Sequence, residues 1–337
     1  MAKVAINGFG RIGRTFFRLA FDHPDIDIVA VNDLGNIDNL AYLLKYDSVY
    51  GRSGFDVQVE AGALIVNGKR VAFVQEKDPK ALPWGQLGVD VVVESTGLFT
   101  TYASAAAHVA AGAKRVVISA PAKDDGTLPG ATVLMGVNEG QLSTCQVTSN
   151  ASCTTNATSP LIAILKESIG IKKALLSTTH AYTASQSLVD GPSKKDMREG
   201  RAAALNIVPT STGAAIATTL AHTELAGKFD GISLRVPVPV GSIVDVTFVA
   251  SRPTSAEEVN ALLTAAAASD RWKNLFAVTT EELVSTDIIG ARYASIADLA
   301  FTRVVDGDLV KVLAWYDNET SYTHTLVEHV AAVARLV

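Results

Sequence analysis

Two cysteines, Cys145 and Cys153, are all that 337 residues contain. That is too few for a disulfide framework and points to a reducing compartment. No uninterrupted apolar run reaches the roughly 18 residues that a membrane-crossing helix requires. The opening Met1-Ala2-Lys3-Val4-Ala5-Ile6-Asn7-Gly8 has no basic stretch followed by a long apolar one, so no signal peptide is expected. Positive charge is not in excess either. The net charge of −5 argues against nucleic acid or an anionic membrane as the main partner. These absences together read as a cytoplasmic protein. What is present is an ordinary globular composition, 48% hydrophobic and 19% charged. The length predicts about two domains.

The first half alternates strands with helices. Lys3 to Asn7 is a short apolar strand, and Gly8-Phe9-Gly10-Arg11-Ile12-Gly13 follows at once. A helix-like segment, Arg14 to Phe21, comes next and stops before Pro24. A second strand, Asp27 to Asn32, ends at Asp33. A glycine turn between a strand and a helix, with an acid closing the next strand, is the setting of a dinucleotide-binding turn. Gly8 permits the tight turn, Gly10 lets the backbone approach a pyrophosphate, and Gly13 lets helix and strand pack closely. Asp33 can accept from ribose hydroxyls. It would repel a 2′-phosphate by roughly 4 kcal/mol at contact distance and intermediate dielectric, which favours NAD over NADP. The plainer alternative is a glycine turn that holds no nucleotide.

Further along, Asn39 to Lys45 reads as a helix. Asp56 to Glu60, Ala63 to Val66 and Arg70 to Val74 read as antiparallel strands, with Asn67-Gly68 as a hairpin turn. Val89 to Glu94 reads as a buried strand, Ala103 to Ala111 as one helix of strong helix formers, and Arg115 to Ser119 as another strand. This alternation predicts a mainly parallel sheet covered on both faces.

Just before mid-chain, Gln146-Val147-Thr148 is strand-like and leads into Ser149-Asn150-Ala151-Ser152-Cys153-Thr154-Thr155-Asn156. A helix-like run from Ser159 to Lys166 follows. A thiol at a helix N-terminus, among free N–H groups and the positive end of the dipole, is expected to have a lowered pKa. A small buried residue heading a packed helix is the other reading. Ala174 to Thr179 is strand-like and ends at His180. Brought together, Cys153 and His180 would form a thiolate–imidazolium pair; a lone structural histidine is the alternative.

The segment 184–201 is long and polar, and loops of that length in compact domains are normally functional. Thr210-Ser211-Thr212-Gly213 precedes the helix-like Ala214 to Ala221, a further helix N-terminus suited to an anion. Arg235, among apolar residues in the strand Ile232 to Val236, needs an anionic partner if buried, whether a ligand or a structural ion pair. Ile243 to Ala250, Ala300 to Val305 and Leu309 to Trp315 predict a largely antiparallel sheet, with a turn at Asp306-Gly307-Asp308. Thr325 to Val337 reads as an amphipathic helix that docks back on the first domain.

Six stretches in order, Asn7 to Arg14, Ser152 to Asn156, His180-Ala181-Tyr182-Thr183, Ser211 to Ala215, Arg235-Val236-Pro237 and Trp315 to Glu319, resemble the phosphorylating, NAD-dependent glyceraldehyde-3-phosphate dehydrogenases of bacterial type. The resemblance spans essentially the whole chain. It implies a Rossmann domain, a doubly wound and mainly parallel sheet, over residues 1–152. The C-terminal helix 319–337 would complete it, and an α+β catalytic domain with a largely antiparallel sheet would occupy 153–318. It further implies oxidation of D-glyceraldehyde 3-phosphate, with phosphate and NAD, to 1,3-bisphosphoglycerate and NADH through a cysteine thiohemiacetal and thioester.

By resemblance, Cys153 is the nucleophile and His180 its base. Thr183 and Arg235 would hold the substrate phosphate, and Ser152, Thr154, Thr212 and Gly213 the attacking phosphate, with Arg198 in the loop beside them. Arg11, Ile12, Asp33, Lys77, Ser119 and Asn318 would bind NAD, Asn318 at the nicotinamide amide. No metal is implied. The family is typically a homotetramer in which the 184–201 loop approaches a neighbour's cofactor. Ala157 stands where the family usually has cysteine. Val240-Gly241 replaces a usual Asn-Val, and Thr320-Ser321 a usual Trp-Gly; both bear on packing near the nicotinamide. The alternatives are an erythrose-4-phosphate dehydrogenase and a non-catalytic NAD-binding protein.

Overall fold

Val4, Ala5 and Ile6 are all fully buried, although alternate side chains of a strand face opposite ways. Val4 and Ile6 join one core with Phe16, Phe17 and Leu326. Ala5 joins another with Trp84, Val92 and Val116. Cover on both faces is the usual condition of a parallel sheet. In the computed structural model, which describes residues 1–124, 126–193 and 196–337, this strand is β1 (Ala2–Asn7) of a nine-stranded sheet. Its other strands are β2 (Ile26–Asn32), β3 (Val57–Glu60), β4 (Ala63–Val66), β5 (Lys69–Val74), β6 (Val91–Glu94), β7 (Arg115–Ile118), β8 (Gly130–Thr132) and β9 (Val147–Ser149).

The spatial order is β8-β9-β7-β6-β1-β2-β5-β4-β3. All neighbours run parallel except the hairpins at β3, β4 and β5. Asn67 and Gly68 carry positive φ at the β4–β5 turn, the backbone that a two-residue hairpin needs. The chain leaves β1 to one side for β2 and returns to its other side at β6. That is a topological switch point, and ligands bind at the strand ends beside it.

The chain divides into two compact units, Met1–Ala151 with Thr323–Val337, and Ser152–Tyr322. In the first, the Gly-turn helix spans Arg11–Ala20, beginning earlier than the expected Arg14. The expected helix Ala103–Ala111 is instead two single turns, Tyr102–Ala105 and Ala107–Ala110. A reciprocal Thr101–Ser104 capping box starts the first, and His108 in the second is tied to Trp84 and Glu94. Tertiary bonds here override a uniform helix propensity. The C-terminal helix runs Thr320–Ala334. It is buried on most of its surface and sends Leu326, Val327, Val330 and Ala331 into the first core, so it is not amphipathic as expected.

The second unit holds β10 (Ile171–Ala181), β11 (Val208–Ser211), β12 (Phe229–Val236), β13 (Ser242–Ala250), β14 (Phe276–Thr279), β15 (Ser295–Val305) and β16 (Leu309–Tyr316). They form one sheet in the order β11-β12-β10-β13-β16-β15-β14. Pairing is mainly antiparallel; β10–β12 and β14–β15 are parallel. The helices Cys153–Ser168, Ala214–Ala221 and Ala256–Ala267 pack on this sheet. Pro160 lies inside the first of them, where it removes one backbone donor. The sequence places the thiol at the N-terminus of the helix-like run Ser159 to Lys166, and the helix does begin at the cysteine. Ser152 starts it at Cys153 by accepting the Thr155 N–H at 3.1 Å.

Candidate active site and nucleotide cleft

At the switch point of the first unit the glycines have distinct reasons. Gly8 has φ +94, and a Cβ there would stand 2.7 Å from the Ser95 carbonyl carbon. A Cβ on Gly13 would stand 2.1 Å from the Gly8 oxygen, so only glycine lets helix and strand approach. Gly10 differs: φ is an ordinary −67, and no protein atom lies within 4 Å of its Cβ position. Nothing in the protein requires glycine there. Its open side faces a cleft of about 310 Å³ that Gly8, Asp33, Lys77 and Thr96 also line. Gly10 gives its helix no side-chain cap, so the helix N-terminus is suited to an anion.

Asp33 is held in place by N–H groups of Phe9 (2.7 Å) and Gly35 (2.8 Å). A helix N-terminus, a Cβ-free approach and a fixed carboxylate fit a dinucleotide. Arg11 pairs with Asp47 at 3.0 Å, and Ile12 packs against the core, so both have side chains turned to the protein. Lys77 lines the cleft; Ser119, at the end of β7, does not.

Sequence reasoning missed a buried polar group of which Asn7, Asn32, Glu76 and Thr96 line this cleft. Glu94, 2% exposed, accepts from Asn7 Nδ2 at 2.5 Å, from the Thr96 N–H at 2.8 Å and from the Thr96 hydroxyl, and meets His108 Nε2 at 3.0 Å. Trp84 Nε1 can only donate, and it donates to His108 Nδ1 at 3.0 Å. His108 therefore carries its proton on Nε2, toward Glu94. Asn32 joins Asn7 at 2.7 Å and receives the Glu76 N–H at 2.9 Å. One bonded group thus ties the ends of β1, β2 and β6. The visible signal was a carboxylate ending an otherwise apolar strand.

In the second unit Cys153, first residue of its helix, places Sγ 3.3 Å from His180 Nε2. His180 lies within β10 rather than after it, since the strand continues to Ala181. His180 Nδ1 is 2.6 Å from the Ala181 carbonyl and 2.5 Å from Arg235 Nη1. A guanidinium only donates and a carbonyl only accepts, so Nδ1 serves one of them at a time. With a proton on Nδ1, the ring donates to Ala181 and offers Nε2 to the sulfur as a base.

The expected lowering of the thiol pKa needs correction. Burial is the largest influence and pushes Cys153 up, against the Arg235 charge and hydrogen bonds from Thr154. Burial, then Arg235, depress His180 to about 3, against its bond to Ala181. Each group alone resists charge. A proton moved from Sγ to Nε2 creates both charges together at close range, where their attraction offsets much of that cost.

Arg235 is only partly buried, and its partners within the protein are His180 and the Ala181 carbonyl at 3.4 Å, not a carboxylate. Ser152 caps Thr155, and its hydroxyl also meets Thr155 Oγ1 at 2.7 Å. Thr154 is buried with its hydroxyl 3.0 Å from Tyr316, whose hydroxyl also reaches Thr178 at 2.9 Å. Burial holds the Tyr316 phenol far above its ordinary pKa. Tyr316 stood inside a recognised stretch without a role; only the fold shows it beneath the Cys153–His180 pair, its ring 5.9 Å from that of His180.

Thr183 bonds Ser185 at 3.0 Å, and Arg198 pairs with Asp196 at 3.1 Å in a largely exposed turn. Lys194 and Lys195 of the 184–201 segment lie outside the described residues. Thr212 accepts the Ala214 N–H at 3.2 Å, and Gly213 has open space at its Cβ position. Asn318 is buried, with its oxygen 3.1 Å from Gly241 N and 3.0 Å from Ser242 Oγ. Among the described residues no helix is long and apolar enough to cross a membrane, and no group of three or more His, Cys, Asp or Glu could hold a metal ion.

A thiol–imidazole pair in a chain that also carries a dinucleotide-type sheet is the equipment of a nicotinamide-dependent oxidoreductase with a covalent cysteine step. Comparison with known proteins narrows the class. The family described as glyceraldehyde 3-phosphate dehydrogenase, NAD binding domain, matches residues 2–102, and the corresponding C-terminal domain matches 152–318. The chain is 49% identical over 334 residues to a glyceraldehyde-3-phosphate dehydrogenase of Geobacillus stearothermophilus, covering 98% of each chain. It is 49% identical over 341 residues to that of Mycobacterium avium, covering 99% of this chain and 98% of the relative. With glyceraldehyde-3-phosphate dehydrogenase 1 of Bacillus subtilis the identity is 47% over 335 residues, covering 99% and 98%. The chain belongs to the glyceraldehyde-3-phosphate dehydrogenase family, and its cofactor is NAD.

Proposed function

We propose that this protein oxidises D-glyceraldehyde 3-phosphate, with phosphate and NAD, to 1,3-bisphosphoglycerate and NADH. The observation that carries this reading is the 3.3 Å approach of Cys153 Sγ to His180 Nε2 at a helix N-terminus, in a chain of this family. Cys153 adds to the aldehyde carbon, giving a thiohemiacetal. His180 takes the hydroxyl proton as carbon becomes oxidised. NAD, when bound, accepts the departing hydride. The product is a thioester on Cys153, which phosphate oxygen attacks, releasing the acyl phosphate and the free thiolate. A thioester conserves the oxidation energy for that acyl transfer.

We assign Gly8, Gly10 and Gly13, the Arg11 and Ile12 backbone, Asp33 and Lys77 to NAD, with Ser119 near the same strand ends and Asn318 at the carboxamide. Thr183 and Arg235 take the substrate phosphate; Ser152, Thr154, Thr212 and Gly213 take the attacking one, beside Arg198. Because the Thr154 hydroxyl is engaged with Tyr316, its share falls to its backbone N–H. Residues 1–152 with 319–337 serve as the cofactor domain and 153–318 as the catalytic domain. The test is NAD reduction with and without phosphate, beside Cys153→Ala. Phosphate-dependent turnover that the variant loses by at least 10³-fold supports the thioester route. Turnover with erythrose 4-phosphate alone, or none with either sugar, would sink it in favour of the relative or of a non-catalytic role.

The same reading includes a cytoplasmic homotetramer. The sheet of the second unit exposes Leu175 and Ile232, 65% and 54% accessible, on an uncovered side, and the 184–201 segment exposes Leu188 and Met197. Exposed apolar residues of this kind suit a second copy of the chain. Leu175→Asp should lower the sedimenting mass without disturbing the far-ultraviolet spectrum; an unchanged mass would remove this face from the assembly.

A further inference from the structure

The orientation of the Asn318 amide is determined by its neighbours. The Gly241 N–H, 3.1 Å away, is a backbone donor and can face only the amide oxygen. Ser242 Oγ lies 3.0 Å from the same oxygen. That hydroxyl is itself constrained, because the Ala181 N–H donates to it at 3.1 Å, which directs its own hydrogen to Asn318. Gly241 can take this position only as glycine: φ is +95, and a Cβ would stand 2.3 Å from the Ser285 oxygen. Ser242 is 1% exposed, so its hydroxyl is shielded from bulk water. Two donors on one oxygen leave the NH₂ end as the part of Asn318 that a ligand meets.

We propose that Ser242, backed by the Gly241 N–H, is a specificity-determining positioning residue for the cofactor. It locks Asn318 so that a nicotinamide carboxamide is read only through its carbonyl oxygen. This rests on the reading that places the carboxamide at Asn318. Held by the Gly241 N–H alone, the amide is less strongly biased against turning to present its own oxygen to the carboxamide NH₂. Ser242 thus selects which edge of the carboxamide is bound. The same hydroxyl anchors the main chain at Ala181, the residue after His180, so a single side chain holds the strand end and the amide together.

The test is direct titration of the full chain, without aldehyde, by NAD and two analogues. The 3-acetylpyridine analogue keeps the carbonyl and lacks the NH₂. The thionicotinamide analogue keeps the NH₂ and offers sulfur, a weaker acceptor. The unaltered protein should prefer the acetylpyridine over the thioamide compound by about 2–10-fold, the scale of one hydrogen bond. In Ser242→Ala the preference should shrink, the Gly241 N–H still holding the amide in part, and Ser242→Thr, which keeps the hydroxyl, should retain it in full. Asn318→Asp presents oxygen instead of NH₂, so it should lose the acetylpyridine analogue about 10-fold more than NAD. If Asn318→Asp reorders the analogues but Ser242→Ala leaves the preference undiminished, the positioning role is wrong and the carboxamide reading stands. If Asn318→Asp leaves the order unchanged, the carboxamide is not at Asn318 and both fall.

Discussion

At Gly10 and Gly13 the same added methyl group should have different effects. Gly13→Ala forces a Cβ to 2.1 Å from the Gly8 oxygen and should destabilise the fold by about 1–3 kcal/mol or more. Gly10→Ala meets no protein atom at an ordinary φ, so thermal stability should fall by no more than about 1 kcal/mol, the scale of a poorer N-cap. NAD affinity should nonetheless fall at least 10-fold, because the methyl enters the space a pyrophosphate approaches. Melting curves paired with NAD titration separate the two. Undiminished NAD affinity in Gly10→Ala would mean that the open side of Gly10 is not the cofactor's. Residue spacing alone allowed the glycine roles to be stated, since each follows from chain geometry within one turn. The Glu94–His108–Trp84 group was not legible, because its members meet only through three separate strands and helices.

At the scale of the element, the helix Cys153–Ser168 depends on its cap. Ser152→Ala removes the acceptor for the Thr155 N–H and should cost about 1 kcal/mol. Ser152→Asp restores a cap, and with it the stability read by urea unfolding. Phosphate-dependent turnover should stay depressed, because a fixed carboxylate repels the attacking phosphate at the same helix end. Recovery of both would remove Ser152 from the phosphate site. The helix was legible from its apolar run and its N-terminus from the cysteine, but the capping bond was not. The structure shows that Ser152 caps the helix so that it begins at Cys153, with Pro160 inside it. Likewise Ala103 to Ala111 reads as one helix from alanine content, yet Thr101, Ser104 and the anchored His108 break it into two turns.

For the whole molecule, two buried histidines remote from the proposed chemistry set an acid limit. Burial, then the neighbouring Lys166 charge, lower His222 to about 4, and burial lowers His329 to about 3. Unfolded, each returns to a pKa near ~6.5. Between those values the unfolded chain binds protons that the native chain refuses, so stability rises with pH. It is fully present above about pH 6.5 and declines below it, by up to about 1.4 kcal/mol per pH unit for each histidine. Urea midpoints at fixed protein concentration should fall from pH 7.5 to pH 5. His329→Gln should flatten part of that slope, and a midpoint independent of pH would refute the assignment.

By itself the sequence determined the fold class, the cofactor turn, the acid that closes the second strand and the candidate nucleophile. These are carried by local patterns of glycine, alternation and helix ends that do not depend on distant residues. Only the tertiary structure decided the rest. It joined Cys153 to His180, put Arg235 on the imidazole instead of on a carboxylate, and brought Gly241, Ser242 and Asn318 to one amide oxygen. It also reversed the expected thiol shift. Burial depends on everything that surrounds a group, and here it outweighs the charge and hydrogen bonds that favour the thiolate.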